Sequence, residues 1–289
     1  MKNFAIASAV GFVFFGALAP ARPQTSSTEQ ITSIAESSEC AAFKWGYAAD
    51  LPKTPPKDAR RGVAPAAFMR GVALVFARAI CHPDRADVKV VSAARGAQGS
   101  AAVNSDAVTW YDSMFQAGGM SNAVASDDTL RHTYALLIAL GMQESSGKYC
   151  TGRDRSQNFK SADSAEAGLL QTSWGASKTK DVLPPMFQHY KSDQTGCLLD
   201  VFRSNVTCDS RDAKNWGTGK GAEWQQLTKM CPAFSIEYGA VVMRSHGGQT
   251  GEFGPIRRKW AEVLPACDAM LSKIQNLVQA NPGLCGSLP

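Results

Sequence analysis

A carboxylate stands just after a long apolar stretch in the middle of this 289-residue chain. Tyr134-Ala135-Leu136-Leu137-Ile138-Ala139-Leu140-Gly141-Met142 carries no charge on any face, and Gln143-Glu144-Ser145-Ser146-Gly147 follows it. A helix that is apolar all round is a buried one, so Glu144 is placed at the edge of a core. Burial disfavours the ionised carboxyl, and so does the negative end of a helix dipole in the last turn. The pKa of Glu144 is therefore expected above the ordinary carboxylate range, which suits a general acid near neutral pH. Taken alone, a Glu at this place reads first as a solvated helix end.

A second segment changes that balance. Glu166-Ala167-Gly168-Leu169-Leu170-Gln171-Thr172-Ser173 lies downstream, with turn-forming Gly168 at its centre. A helix ending in Glu-Ser and then such a turn resembles the lytic transglycosylases and goose-type lysozymes of the lysozyme-like superfamily. Leu170 stands where those families usually carry Met, a swap that preserves volume. The resemblance covers Leu136 to Trp174. It implies cleavage of the bond linking N-acetylmuramic acid to N-acetylglucosamine in peptidoglycan, without a cofactor. Glu144 then matches the catalytic acid, and Ser145 the serine that supports this Glu or the sugar by hydrogen bonding. Gly168, Leu169 and Gln171 match the turn lining the cleft; those residues would serve a packed loop equally well. The interval between the two motifs is longer than these families show, and it holds Cys150 and the polar stretch Thr151 to Asp163. Glu237-Tyr238-Gly239-Ala240 lacks the Asn of the family's later Ala-Tyr-Asn motif, so Tyr238 reads as a core or rim tyrosine.

Two outcomes follow protonation of a glycosidic oxygen. Water attacks with help from a second carboxylate, or the muramyl C6 hydroxyl attacks and leaves a 1,6-anhydro end. Asp163 and Glu166 rank ahead of Asp154 as the second acid; each also reads as a solvated loop charge, a partner for Arg153 or Arg155, or a turn cap. Tyr149 and Trp174 flank the two motifs and have flat faces on which sugar rings stack, with core packing as the alternative. The stretch Gly251 to Lys259 reads as an exposed loop, or as the closure of one end of a cleft. Close variants of the function are chitin cleavage, or a non-catalytic wall-binding or secreted interaction protein on the same scaffold.

Other chemistries lack their residues. His82, His132, His189 and His246 are scattered and no Cys-x-x-Cys occurs, so no zinc site is expected. Asp154-x-Ser156-x-Asn158 begins like a calcium loop, but Phe159 and Ala165 occupy the positions that need Gly and Glu. There is no Gly-x-Ser-x-Gly and no phosphate-binding glycine loop. The net charge of +5 is too small, and the basic residues too dispersed, for nucleic acid.

These residues need a scaffold to position them. The chain is 44% hydrophobic and 19% charged, an ordinary globular composition. Lys2, the apolar run Phe4 to Leu18 and Ala19-Pro20-Ala21 read as an export signal over 1–21, with an uncleaved anchor as the alternative. Phe4 to Ala19 is short for a membrane span. Eight cysteines in an exported chain read as disulfides whose pairing stays open, and the protein is expected to be secreted or periplasmic. Residues 22–64 are expected to be a leader and loop region, mobile over 22–38 and Pro-rich over 52–57. Residues 65–289 are expected to form the catalytic domain: mainly α, lysozyme-like, disulfide-stapled around a buried central helix. Helices are expected from Pro65 to His82, Ala107 to Gln116, Ser126 to about Gly147, Asp181 to Tyr190, Pro232 to Arg244 and Pro255 to Val278.

Overall fold

A computed structural model describes residues 26–46, 61–97, 99–153 and 161–288. The export signal, the Pro-rich stretch 52–57, Asp154 and the calcium-like start lie outside the described residues. Among the described residues, seven helices have ten residues or more. They are α1 (Ser27–Glu36), α2 (Ala66–Cys81), α3 (Asp127–Ser145), α4 (Leu183–Ser192), α5 (Lys220–Met230), α6 (Pro232–His246) and α7 (Pro265–Ala280). The fold is mainly helical. One two-residue pairing, Lys44–Trp45 antiparallel to Gly62–Val63, joins the chain on either side of the 47–60 segment.

The longest helix, α3, is the centre. Ser126 caps it by accepting from the Thr129 N–H at 3.2 Å, and Asp127 and Asp128 occupy its positive first turn. Its apolar run is fully enclosed, as the absence of a polar face predicts. The chain leaves it through Ser146 at φ 55° and Gly147 at φ 71°, with the Gly147 N–H returning to the Gly141 carbonyl at 3.1 Å. That left-handed exit terminates the helix one residue after Ser145. Helices α2, α6 and α7 pack against it.

Three expectations change. Over 26–38 the leader is not loose: Ser26 and Glu29 form a capping box, and Ile31 and Ala35 bury α1 against α2 and α7. The single helix expected over Pro255 to Val278 is two pieces, a short turn Gly254–Arg257 and then α7. Lys259 at φ 54° ends the first piece, and Pro265, which donates no N–H, opens the second. The Ala107–Gln116 helix likewise divides, at Tyr111.

Four disulfides join all eight cysteines. Cys40–Cys267 ties the chain after α1 to α7, and Cys81–Cys285 ties the end of α2 to the segment after α7. Cys197–Cys231 joins a loop to the junction of α5 and α6, and Cys150–Cys208 joins the segment after α3 to the loop before α5. Cys208 is exposed, whereas Cys40, Cys197, Cys231 and Cys267 are buried. Among the described residues no helix is long and apolar enough to cross a membrane.

Candidate functional site

The last turn of α3 delivers Glu144 to the place where two cavities meet. One has a volume of about 610 Å³, with Arg61, Glu252, Arg257, Arg258 and Trp260 on its walls. The other, about 320 Å³, is bounded by Thr151, Gly152, Arg153 and Asp212. Glu144, Glu166 and Gln171 line both. A cleft thus runs to either side of one half-buried carboxyl.

Burial is the main cause that pushes Glu144 up to about 8, and the negative charge of Glu166 adds to it. Arg61, Arg258 and Arg257 pull the other way without reversing the shift. At neutral pH Glu144 therefore holds its proton while open to a cleft, the state a general acid needs.

The downstream turn is built to hold Glu166 and Gln171 opposite that acid. Ala167 and Thr172 pair across it, with the Ala167 N–H on the Thr172 carbonyl at 3.0 Å. Gly168 takes φ 80°, and a Cβ there would stand 2.5 Å from Thr228 Oγ1 on α5. Leu169 lies against α3, where a Cβ on Gly141 would be 3.1 Å from Leu169 Cδ2. Leu170 fills the space beside Gly239 on α6. The turn is thereby clamped among three helices. Gln171 Nε2 donates to the Gly168 carbonyl at 2.8 Å and the Gly152 carbonyl at 3.2 Å. Its amide therefore links the turn to the wall of the smaller cavity.

The other residues singled out in the sequence lie elsewhere. Ser145 is buried and donates its hydroxyl to the Gly141 carbonyl at 3.0 Å. Leu169 is core. Asp163 accepts from the Gly221 N–H at 3.0 Å in the first turn of α5, so it acts as a helix cap. Together with Trp174 it borders a separate hollow of about 520 Å³. Trp174 packs on Phe187 with ring centroids 4.9 Å apart, and Tyr149 is half-buried against the core. Tyr238 is also core, donating its hydroxyl to the Ser173 carbonyl at 3.0 Å. It anchors the strand-like exit of the turn.

Sequence reasoning missed Arg61, His246 and Trp260 as wall residues. Arg257 and Arg258 belong to the stretch with two readings, and they line the cleft. A further cavity, about 520 Å³, opens over Arg78, Arg85 and Tyr190. Behind it lies the buried Glu237 carboxylate, bound by Arg78 at 2.8 Å, Arg85 at 2.6 Å and the Tyr190 hydroxyl at 2.7 Å. Burial alone would raise that carboxyl's pKa, but the two guanidiniums and the hydroxyl hold it below the ordinary value. A carboxylate so fully bound is a structural knot and has no proton to give. Comparison with known protein families, with curated proteins and with solved structures gave no match.

Proposed function

We propose that this cleft cleaves the β-1,4 glycan of peptidoglycan on a lysozyme-like helical scaffold, with Glu144 as general acid and then base. The observation that carries the reading is a carboxyl held up to about 8 at the junction of two cavities, across from Glu166 and Gln171. Glu144 donates its proton to the bridging oxygen as the glycosidic C–O bond breaks. The sugar left behind develops positive charge at its anomeric carbon. Glu166, which shares both cavities, supplies negative charge to that centre. The ionised Glu144 then takes a proton from the attacking hydroxyl, either of water or of the muramyl C6 position. Gln171 has its Nε2 committed to two backbone carbonyls, so it meets the bound sugar as an acceptor through its amide oxygen. The reading fits export into an oxidising compartment, since all eight cysteines are bridged. A purely binding role would give no reason for a proton-holding carboxyl where the two cavities meet.

The test is digestion of purified peptidoglycan by the protein and by Glu144→Gln, which keeps shape and removes the donor. Turnover is expected to drop about a thousandfold, with folding preserved. Product masses separate the two outcomes, because an anhydro end is lighter by one water than a hydrolysed one. Equal turnover by the two proteins removes Glu144 from the mechanism.

A further inference from the structure

Most partnered arginines of the described chain answer a carboxylate. Arg70 pairs with Glu36, Arg95 with Asp112, Arg131 with Asp268 and Arg244 with Asp106. Arg257 and Arg258, adjacent on the wall of the larger cavity, do not: neither forms an ion pair with a carboxylate of the described residues. Arg257 is held in place by backbone alone, its Nη1 donating to the carbonyls of Gly251 and Glu252. Arg258 lies over the Trp260 ring with its guanidinium carbon 3.9 Å from the centroid. Stacking fixes the plane of that guanidinium and leaves its N–H edges for another group.

The crowding of the two cations bears on Arg258. Burial, and then the charge of Arg257, lower the pKa of Arg258. Three acids line the same cavity, Glu144, Glu166 and Glu252, and none forms an ion pair with Arg257 or Arg258. The Glu252 carboxylate accepts from the Ser173 hydroxyl at 3.0 Å and offsets one of the two guanidiniums, while Glu144 is protonated at neutral pH. Arg61 and Glu166 add one charge of each sign to the lining. The arm beside Glu144 therefore keeps an excess of one positive charge and two oriented guanidiniums. A carboxylate matches such donors in both charge and geometry.

We infer that the Arg257–Arg258 wall is a carboxylate-binding subsite, and that the preferred substrate is an amino-sugar glycan whose peptide stems carry free carboxylates next to the scissile bond. The inference rests on the glycan-cleaving reading and adds its specificity. A neutral glycan reaches Glu144 without meeting this wall's charge, whereas an acidic stem is drawn to it and fixes the sugar's register. The attraction is electrostatic, so it weakens with salt.

The experiment compares kcat/KM on two matched soluble glycan fragments. One carries stem peptides with free acids; the other is the same fragment with those acids converted to carboxamides. The acid fragment is expected to be cleaved about tenfold more efficiently at low salt, and the ratio to shrink as salt rises. In the Arg257→Gln, Arg258→Gln double variant the ratio is expected to approach one, with circular dichroism and melting temperature confirming the fold. A ratio near one in the unsubstituted protein overturns the subsite and leaves glycan cleavage standing. A ratio that survives the double substitution also overturns it. Failure to cleave either fragment overturns the subsite together with the proposed function.

Discussion

Replacing Glu144 by Gln is expected to make the protein more stable, by an amount that depends on pH. The folded carboxyl has its pKa pushed from 4.5 to about 8, first by burial and then by Glu166. Below pH 4.5 the group is protonated in both the folded and the unfolded chain, and the fold bears no penalty from it. As pH rises from 4.5 to about 8 the unfolded chain ionises while the folded one keeps its proton, so stability falls. Above about 8 the loss is complete. At about 1.4 kcal/mol per pKa step, the span from 4.5 to about 8 amounts to about 5 kcal/mol. The carboxyl is half-buried, and solvent screening reduces the expected figure to roughly 2–3 kcal/mol. Gln keeps the shape and cannot ionise, so it removes this cost. Urea unfolding with disulfides intact, run at pH 5 and pH 8.5, measures the difference. The variant should exceed its parent by less than about 1 kcal/mol at the lower pH and by roughly 2–3 kcal/mol at the higher. A difference that is absent at pH 8.5, or equal at the two pH values, would refute the claim that the site stores cost in a sheltered acid.

Turnover should decline as pH rises through about 8, because the donor form of Glu144 is lost there; Glu166→Gln removes the negative neighbour and should move that limb to lower pH, and an unmoved limb would show that the two groups do not interact. Gly168→Ala puts a side chain at φ 80° and against Thr228, so a stability loss of about 2 kcal/mol is expected, checked by calorimetry and contradicted by an unchanged melting temperature. Asp163→Ala deletes the acceptor for the Gly221 N–H and should lower stability by about 1 kcal/mol. Measured well below its melting temperature, its turnover should stay near the parent's; a collapse of turnover would return Asp163 to the chemistry.

Local features were legible and remote ones were not. The α3 helix announced itself through an unbroken apolar run between a Ser-Asp start and a Gly stop, and its limits agree with the structure within two residues. Helix α1 was overlooked because Ile31 and Ala35 alone make its buried stripe, although Ser26 and Glu29 have the spacing of a capping box. Helix α5 was hidden by the polar residues it buries. Gln225 is tied to Trp216, and the Lys229 ammonium donates to the carbonyls of Asp212, Ala213 and Lys214 at 2.7, 3.1 and 3.2 Å. Polar residues satisfied inside a fold look like surface residues in a sequence. The site divides in the same way. Glu144, Glu166 and Gln171 come from two compact motifs, and the cavities join them. Arg61 and the 251–260 wall reach the cleft only through packing of distant segments, which no spacing rule encodes.

The Cys150–Cys208 bridge gives the cleft a latch of its own. Cys150 directly precedes the Thr151–Arg153 wall, and Cys208 stands four residues before Asp212, which lies against Gly152 in the same wall. Its Cys208 sulfur belongs to an exposed residue, while Cys40–Cys267 and Cys197–Cys231 are enclosed in the core. A mild thiol reagent therefore reaches the latch before those inner ties, loosening one bank of the groove while the helices stay assembled. The proposed cleavage and foldedness would then part company as the surroundings become reducing, with the groove surrendering first.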